Sequence, residues 1–352
     1  MDDESWMRLA LSEARKGVGL TSPNPPVGAI IVKEGAELGR GYHRICGGPH
    51  AEREAIAAAK QKHGNHCLQG AAIYVTLEPC STKGRTGACT DAIIAEGFQR
   101  VIYGAEDPNP AHAGAADKIL AARGIEVSGR VAQKECTALI RPFAKVQQTG
   151  RPWVIVKTAM TLDGSITRPA GEGQWLSNPE SRAEVQQLRV EADAILTTGE
   201  TVRKDDARLT LRGEHIPPEK KQPWRVILTK DPESIPKTAQ VKTDAHADRT
   251  IFPSPQSMDQ ILRKLVDNKQ VNTVLVEAGG DLVGQLVDEG LVDEMVVYLA
   301  PLLASGPVPA VGGEGVSNLS ERWKLSDVSY QKIGSDVCLR GIISGRGGEL
   351  ER

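Results

Sequence analysis

His50-Ala51-Glu52, followed by Pro79-Cys80 and then by Cys89, constrains this 352-residue chain more than any other segment. It supplies three metal ligands and one carboxylate that need not be a ligand. One imidazole and two thiolates leave the fourth tetrahedral position of a zinc ion open, whereas a structural site closes it with protein. An open position lowers the pKa of bound water toward neutrality, and Glu52 is then the group that moves protons. The expected metal ligands are therefore His50, Cys80 and Cys89, with Glu52 as the catalytic carboxylate.

A fold that holds this set must bring two helix starts and one strand end to a single point. Glu54-Ala55-Ile56-Ala57-Ala58-Ala59-Lys60 is strongly helix-forming, which puts His50 and Glu52 at that helix's first turn. Ile73-Tyr74-Val75-Thr76 reads as a buried strand running into Glu78-Pro79-Cys80. Thr90-Asp91-Ala92-Ile93-Ile94-Ala95 opens a second helix directly after Cys89. Helix N-termini favour thiolate over thiol, so the placement suits metal binding.

Blander readings compete with this one. Six cysteines allow accidental pairings. A closed structural zinc site would recruit a fourth ligand from Cys46, His63, His66 or Cys67. The ordered spacing favours the open site, and Cys46, Cys67, Cys136 and Cys338 read as ordinary reduced thiols. His43, in Gly41-Tyr42-His43, would be uninformative alone.

The length suits two domains of ordinary size, with a boundary between Arg141 and Arg151. Before it, strands near 28–33, 72–76 and 100–104 alternate with helices starting near Ser5, Glu52, Thr90 and Ala113, which gives a layered α/β domain over residues 1–145. After it, Pro152-Trp153-Val154-Ile155-Val156-Lys157 opens a fresh strand, and the α/β pattern restarts over 151–345. Further strands are expected at 194–197, 225–228, 273–276 and 294–299. A helix is expected from Ser177-Asn178-Pro179-Glu180, read as a capping box, to about Glu191. The tail from Gly345 onward is polar and reads as frayed.

A formal charge of −2 gives no electrostatic reason to expect nucleic acid as a partner. The acidic start Met1-Asp2-Asp3-Glu4-Ser5 resembles neither a secretory signal nor a transit peptide. No apolar run approaches a membrane span, and cysteines at metal spacing fit a reducing compartment. A cytoplasmic enzyme, assembled as a homo-oligomer and acting on a small molecule, is expected.

In the second domain, Val274-Leu275-Val276-Glu277-Ala278-Gly279-Gly280-Asp281 leads from an apolar strand through glycines into a helix. Such a junction exposes backbone N–H groups to a phosphate or pyrophosphate. It lacks G-x-G-x-x-G, and a Gly-Gly after a strand is by itself more often a plain turn.

The pattern H-x-E followed by P-C-x-x-C marks zinc nucleobase deaminases, but here Ser81 to Ala88 separate the two cysteines. With that longer loop, which holds Gly84-Arg85-Thr86-Gly87, the chain resembles the RibD family, the bifunctional deaminase-reductases of riboflavin biosynthesis. Pro23-Asn24-Pro25, Gly41-Tyr42-His43, Thr76-Leu77-Glu78-Pro79-Cys80-Ser81 and Asp107-Pro108-Asn109-Pro110 agree with it. Lys157-Thr158-Ala159-Met160-Thr161-Leu162-Asp163-Gly164, Gln174-Trp175 and Thr201-Val202-Arg203-Lys204-Asp205-Asp206 extend it into the second half.

The resemblance implies a cytidine-deaminase-like three-layer α/β/α domain followed by a dihydrofolate-reductase-like α/β domain. It implies zinc-dependent deamination of 2,5-diamino-6-(5-phosphoribosylamino)pyrimidin-4-one, then NADPH-dependent reduction of the ribosyl group to ribityl. Zn2+ and NADPH are the implied cofactors, and the substrate is a pyrimidine ribosyl phosphate. Asn24, His43 and Arg85 match deaminase substrate positions. Ala159, Trp175, Thr201, Asp205 and the run Gly279, Gly280, Asp281, Leu282, Val283, Gly284 and Gln285 match NADPH contacts. Gly173, Arg189, Leu209, Arg212 and Glu277 match reductase substrate positions, the arginines suiting a ribose phosphate by charge and bidentate geometry.

Several positions depart from the family pattern. Thr82-Lys83 stands where a histidine is common after Pro-Cys-Ser, and Gly87-Ala88 replaces a usual pair of prolines. Ala207 replaces the proline of Asp-Asp-Pro, and Gly173 stands where a serine commonly precedes Gln-Trp. Three rival functions remain open at this point: a single-activity zinc deaminase with a non-catalytic second domain, a reductase carrying a silent zinc scaffold, and a nucleotide-binding regulatory module without turnover.

Overall fold

Short apolar runs bounded by glycine, proline and acidic residues become the central strands of two sheets. The computed structural model describes residues 1–82, 87–109, 112–166, 175–213, 216–305 and 308–346. It divides into two compact units, Met1–Gly150 and Arg151–Arg352.

In the first unit the order is α1 (Asp3–Arg15), β1 (Gly28–Lys33), β2 (Ala36–Tyr42), α2 (Ala51–His63), β3 (Ala72–Leu77), α3 (Cys89–Ala95), β4 (Arg100–Ala105), α4 (Ala115–Ala121), β5 (Glu126–Ser128), α5 (Gln133–Leu139) and α6 (Arg141–Thr149). Among the described residues the sheet order is β2-β1-β3-β4-β5, antiparallel on the β2 side and parallel from β3 to β5. Alternation of side chains gives each strand two apolar faces. Ile31, Ile73, Val75 and Val101 pack under α2, α3 and α4, while Ile30, Tyr74 and Ile102 pack under α1 and α5. The result is three layers, α/β/α.

Close approach of helix to sheet sets where the site residues fall. A Cβ on Gly41 of β2 would stand 2.5 Å from the backbone nitrogen of Ala55, so glycine lets α2 lie flat on the strand. Alanines 51, 55 and 59 line that contact without side-chain bulk. On the opposite face a Cβ on Gly28 would lie 2.1 Å from the carbonyl oxygen of Ala10 and 2.5 Å from the nitrogen of Ala14. Gly28→Ala is therefore expected to push α1 off the sheet and cost about 1–3 kcal/mol or more, as overpacking does. A melting temperature unchanged from the parent protein would show that α1 yields without strain.

In the second unit the order is β6 (Trp153–Thr161), α7 (Pro179–Glu191), β7 (Ala194–Thr198), α8 (Gly199–Asp205), β8 (Trp224–Leu228), α9 (Gln240–Thr243), β9 (Thr250–Ile251), α10 (Met258–Lys269), β10 (Thr273–Val276), α11 (Gly280–Asp288), β11 (Glu294–Ala300), β12 (Trp323–Ile333) and β13 (Asp336–Arg346). Among the described residues its sheet order is β12-β13-β11-β6-β10-β7-β8-β9. Strands β11 through β9 run parallel, and β13 and β12 add antiparallel at one edge. Val154, Val156, Leu196 and Val274 face α10 and α11. Ile155, Ile195, Ile227 and Leu275 face α7 and α8.

The cap of α7 differs from the capping box expected at Ser177. Asn178 is the N-cap, its side chain accepting the Ser181 N–H at 2.8 Å, with Pro179 in the first turn. Asn178 also donates to the Ile333 carbonyl at 2.6 Å, a partner 155 residues away that a local pattern does not register.

Candidate functional site

His50 is the N-cap of α2, with extended backbone, and Glu52 is the second residue of that helix. Cys80 follows β3 by way of Pro79, and Cys89 is the first residue of α3. The Cys80 carbonyl accepts N–H groups from Cys89 at 3.0 Å and Thr90 at 3.2 Å, which ties the start of α3 to the residue that follows β3. The Cys89 N–H also points at the Cys80 sulfur, 3.3 Å away.

His50 Nδ1, Cys80 Sγ and Cys89 Sγ lie within 4.8 Å of one another. Nδ1 stands 3.6 Å from Cys80 Sγ and 3.3 Å from Cys89 Sγ. Tetrahedral zinc with Zn–S of about 2.3 Å and Zn–N of about 2.0–2.1 Å sets an N···S edge of about 3.5 Å. The donors therefore fit zinc in both type and spacing. Among the described residues no fourth protein ligand joins them. Cys46, His63, His66 and Cys67 stay outside the cluster, so a closed structural site is not built here.

The two thiols behave as a pair. Cys80 is drawn down to about 4, first by its hydrogen bond with Cys89 and then by that with His50. Cys89 moves up, because the same bond and its burial keep a proton on it. Glu52 is 3 % exposed, and burial pushes its carboxyl above the usual range. A buried carboxylate held outside the ligand set beside Cys89 is placed for proton transfer.

Asn24 and His43 stand against this cluster. The His43 ring meets the His50 ring edge-on at 5.3 Å between centroids, and Asn24 Nδ2 is 3.1 Å from His43 Nε2. The third residue expected here, Arg85, lies outside the described residues, as do Gly173 and the tail beyond residue 346.

In the second unit the structure joins two of the residues expected to meet the substrate. Arg189 of α7 grips Glu277, which follows β10, through Nε–Oε1 at 2.6 Å and Nη2–Oε2 at 2.9 Å. Its Nη1 donates to the Thr210 carbonyl at 3.0 Å, between Leu209 and Arg212. The fork expected to receive a phosphate is thus already engaged by a carboxylate. Arg212 makes no ion pair among the described residues and has the positive charges of Arg189 and Arg208 near it. Leu209 takes positive φ, 54°, and buries its side chain in the core, which leaves only its backbone open to a ligand. Residue-to-residue spacing did not single out Lys157 on β6; burial lowers its pKa and Glu277 lies near it. Its place in the Lys157-Thr158-Ala159 motif was the available signal.

The residues expected to meet NADPH divide by exposure. Trp175 is 53 % exposed and carries the Arg182 guanidinium 5.5 Å from its ring, so it is not a core aromatic. Leu282 and Val283 are buried in the core under α11, and Gly280 and Gly284 carry the backbone of Pro309 and Gly312 at close range. Their side chains, or the space a side chain would need, are taken up inside the unit. Thr201 bonds Thr198 within the first turn of α8, Asp205 closes that helix, and Ala159 pairs with Tyr298 in the sheet. A cavity of about 650 Å³ opens at the C-terminal ends of β7 and β8, lined by Thr198, Gly199, Arg203, Lys230 and Gln285 among others. Parallel α/β sheets bind ligands at such ends. Gly279 and Asp281 stand at the start of α11.

Comparison with known proteins adds a second line of support. The sequence profile of the cytidine and deoxycytidylate deaminase zinc-binding region matches residues 1–105, and that of the RibD C-terminal domain matches 152–339. The riboflavin biosynthesis protein RibD of Escherichia coli strain K12 is 36% identical over 367 residues, covering 96% of this chain and 99% of the relative. Acinetobacter baumannii RibD superposes with a TM-score of 0.87 at 34% identity, over 97% of this chain and 99% of that one. The Thermotoga maritima diaminohydroxyphosphoribosylaminopyrimidine deaminase/5-amino-6-(5-phosphoribosylamino)uracil reductase superposes with a TM-score of 0.85 at 31% identity, over 97% of this chain and 98% of that one.

Proposed function

The chain belongs to the RibD family, and from that premise we propose that its first unit deaminates the diaminopyrimidine ribosyl phosphate and its second reduces the deaminated product with NADPH. The first unit has the cytidine-deaminase-like fold and the second is a RibD-type reductase domain. One observation carries the reading: three zinc-type donors converge with no fourth protein ligand among the described residues, while a buried Glu52 stands beside them without joining. The single-activity alternative gains nothing, because the second unit matches a reductase profile.

Zinc, when bound by His50, Cys80 and Cys89, supplies the Lewis acid that activates water for attack on the amine-bearing ring carbon. Glu52 takes the proton of that water and passes one to the departing ammonia, its buried position keeping the transfer away from bulk solvent. Asn24 and His43 form the wall against which the pyrimidine lies. In the second unit NADPH would supply the hydride that adds to C1 of the ring-opened imine, the C=N π electrons passing to nitrogen, which takes its proton from water. Arg212 holds the ribose phosphate, and the Arg189–Glu277 pair fixes the Leu209–Arg212 segment around it.

A homo-oligomer in the cytoplasm is part of the proposal. Exposed apolar residues along the edge strand β12, Tyr330 at 72 % foremost, support assembly, and six free cysteines support a reducing compartment. No described helix is long and apolar enough to cross a membrane.

Removing the metal separates the two units. Dialysis against a strong chelator is expected to abolish ammonia release from the diaminopyrimidine phosphate while leaving NADPH oxidation on the deaminated substrate intact, and added zinc should restore the first. Ammonia release that survives with zinc absent by elemental analysis would refute the deaminase assignment.

A further inference from the structure

Residues 206–212 follow α8 with neither helix nor strand. Two of them, Asp206 at φ 42° and Leu209 at φ 54°, take the left-handed backbone that a residue other than glycine adopts only where its surroundings impose it. The run Asp206-Ala207-Arg208-Leu209-Thr210-Leu211-Arg212 contains neither glycine nor proline. Its shape must therefore come from what it is tied to. Helix α7 supplies part of the hold, since Arg189 Nη1 donates to the Thr210 carbonyl at 3.0 Å and Gln186 Oε1 accepts the Arg212 N–H at 3.0 Å.

The rest comes from β8 and the residues just before it. Arg225 is 1 % exposed, and its guanidinium meets Asp244 in a two-point fork, Nη1–Oδ2 at 2.7 Å and Nη2–Oδ1 at 2.9 Å. The same two nitrogens reach three carbonyls: Arg208 at 3.0 Å, Val241 at 3.2 Å and His246 at 2.7 Å. Gln222 closes on both sides of Leu211, accepting its N–H at 2.7 Å and donating to its carbonyl at 3.3 Å. For stability alone a buried ion pair gains little, because apolar side chains of similar volume often serve as well or better. What an apolar side chain cannot do is tie the Arg208 carbonyl to the strand.

Resting on the reductase reading, in which Arg212 holds the ribose phosphate, we propose that Arg225 and Gln222 are positioning residues of the reductase site. They fix the backbone of residues 208–212 and so aim Arg212 at the phosphate, while touching neither substrate nor cofactor. Both terminal nitrogens of Arg225 are engaged within the protein, so it acts through the segment. Thr210 and Leu211 are tied down between Arg208 and Arg212, and a shift at one end is carried to the other. The phosphate lies away from the carbon that receives hydride, so a loosened grip weakens ground state and transition state alike and shows in KM.

Arg225→Lys in the full chain tests this, because lysine keeps a positive charge for Asp244 but gives up the fork. KM for the deaminated pyrimidine ribosyl phosphate is expected to rise by about tenfold, the effect of losing a hydrogen bond to a charged group, with kcat and the KM for NADPH changed far less. A fault in folding alone would lower kcat per mole of protein and leave KM at the parent value, and that result would overturn the proposal. In an Arg212→Met background Arg225→Lys should raise KM no further; effects that multiply would equally overturn it. Should Arg225→Lys not fold, the uncharged Gln222→Ala is expected to raise the same KM by about threefold, and a parent KM there counts against the assignment. An Arg212→Met protein with the parent KM would refute the phosphate reading alone. Amide hydrogen exchange then decides the rest: faster exchange at Leu211 and Arg212 in Arg225→Lys or Gln222→Ala bears out the hold on the segment, and parent rates overturn it.

Discussion

Glu52→Gln is expected to reduce ammonia release by about a hundred- to ten-thousandfold, the range for a lost general acid-base group. The amide keeps the shape of the side chain in its buried place and removes only its capacity to accept and return a proton. Because Glu52 is not among the three clustered donors, zinc content should stay at the parent value. NADPH oxidation on substrate that has already been deaminated should also match the parent, since the residue belongs to the other unit. Loss of zinc together with activity would recast Glu52 as a support for the metal site and remove it from the proton path.

The second large effect is expected at Arg189. Its side chain and that of Glu277 are 9% and 13% exposed, and removing one partner of such a pair leaves the other charge buried and uncompensated. Arg189→Met should therefore destabilise the second unit by about 3–5 kcal/mol. For a unit of this size that corresponds to a fall in melting temperature of roughly 6–20 °C. The double variant Arg189→Met, Glu277→Gln removes both charges, and most of the stability should return. Reduction should not return with it, because the Thr210 carbonyl loses its anchor and the segment carrying Arg212 is released. A double variant that reduces at the parent rate would make the pair purely structural.

The same pair gives a sign for acid sensitivity. Burial raises the Glu277 pKa, but the charge and hydrogen bonds of Arg189 outweigh it and the net position is below the usual carboxylate value. A depressed folded value means that the stabilisation is present above the ordinary carboxylate pKa and is lost as pH falls through the folded one. The parent protein should keep this contribution at neutral pH and shed it only in acid.

The metal site was legible in the sequence because its geometry is encoded locally. His50 and Glu52 fall two residues apart in one helical turn, and Cys80 and Cys89 mark a strand end and a helix start. Strands β3, β6, β7, β8 and β10 were legible as short apolar runs because both of their faces are buried. Strand β12 was not, since most of it is exposed and residues such as Ser326, Asp327, Ser329 and Gln331 carry no alternating pattern. Long-range pairings were equally hidden. Arg189 meets Glu277 across 88 residues, and the resemblance that matches both to substrate positions does not state that they pair with each other. Asn24 and His43 are 19 residues apart, and nothing in either motif states that they meet.

The central claim is that one chain performs both steps in order, deamination before reduction. It is tested most directly by giving the purified protein the diaminopyrimidine phosphate first without and then with NADPH, following ammonia and cofactor together. The account predicts ammonia release without NADPH, no further change until the cofactor is added, and then NADPH oxidation equal in amount to the ammonia already formed. NADPH oxidation by Glu52→Gln protein on the undeaminated substrate, at the parent rate and with no ammonia, would contradict it.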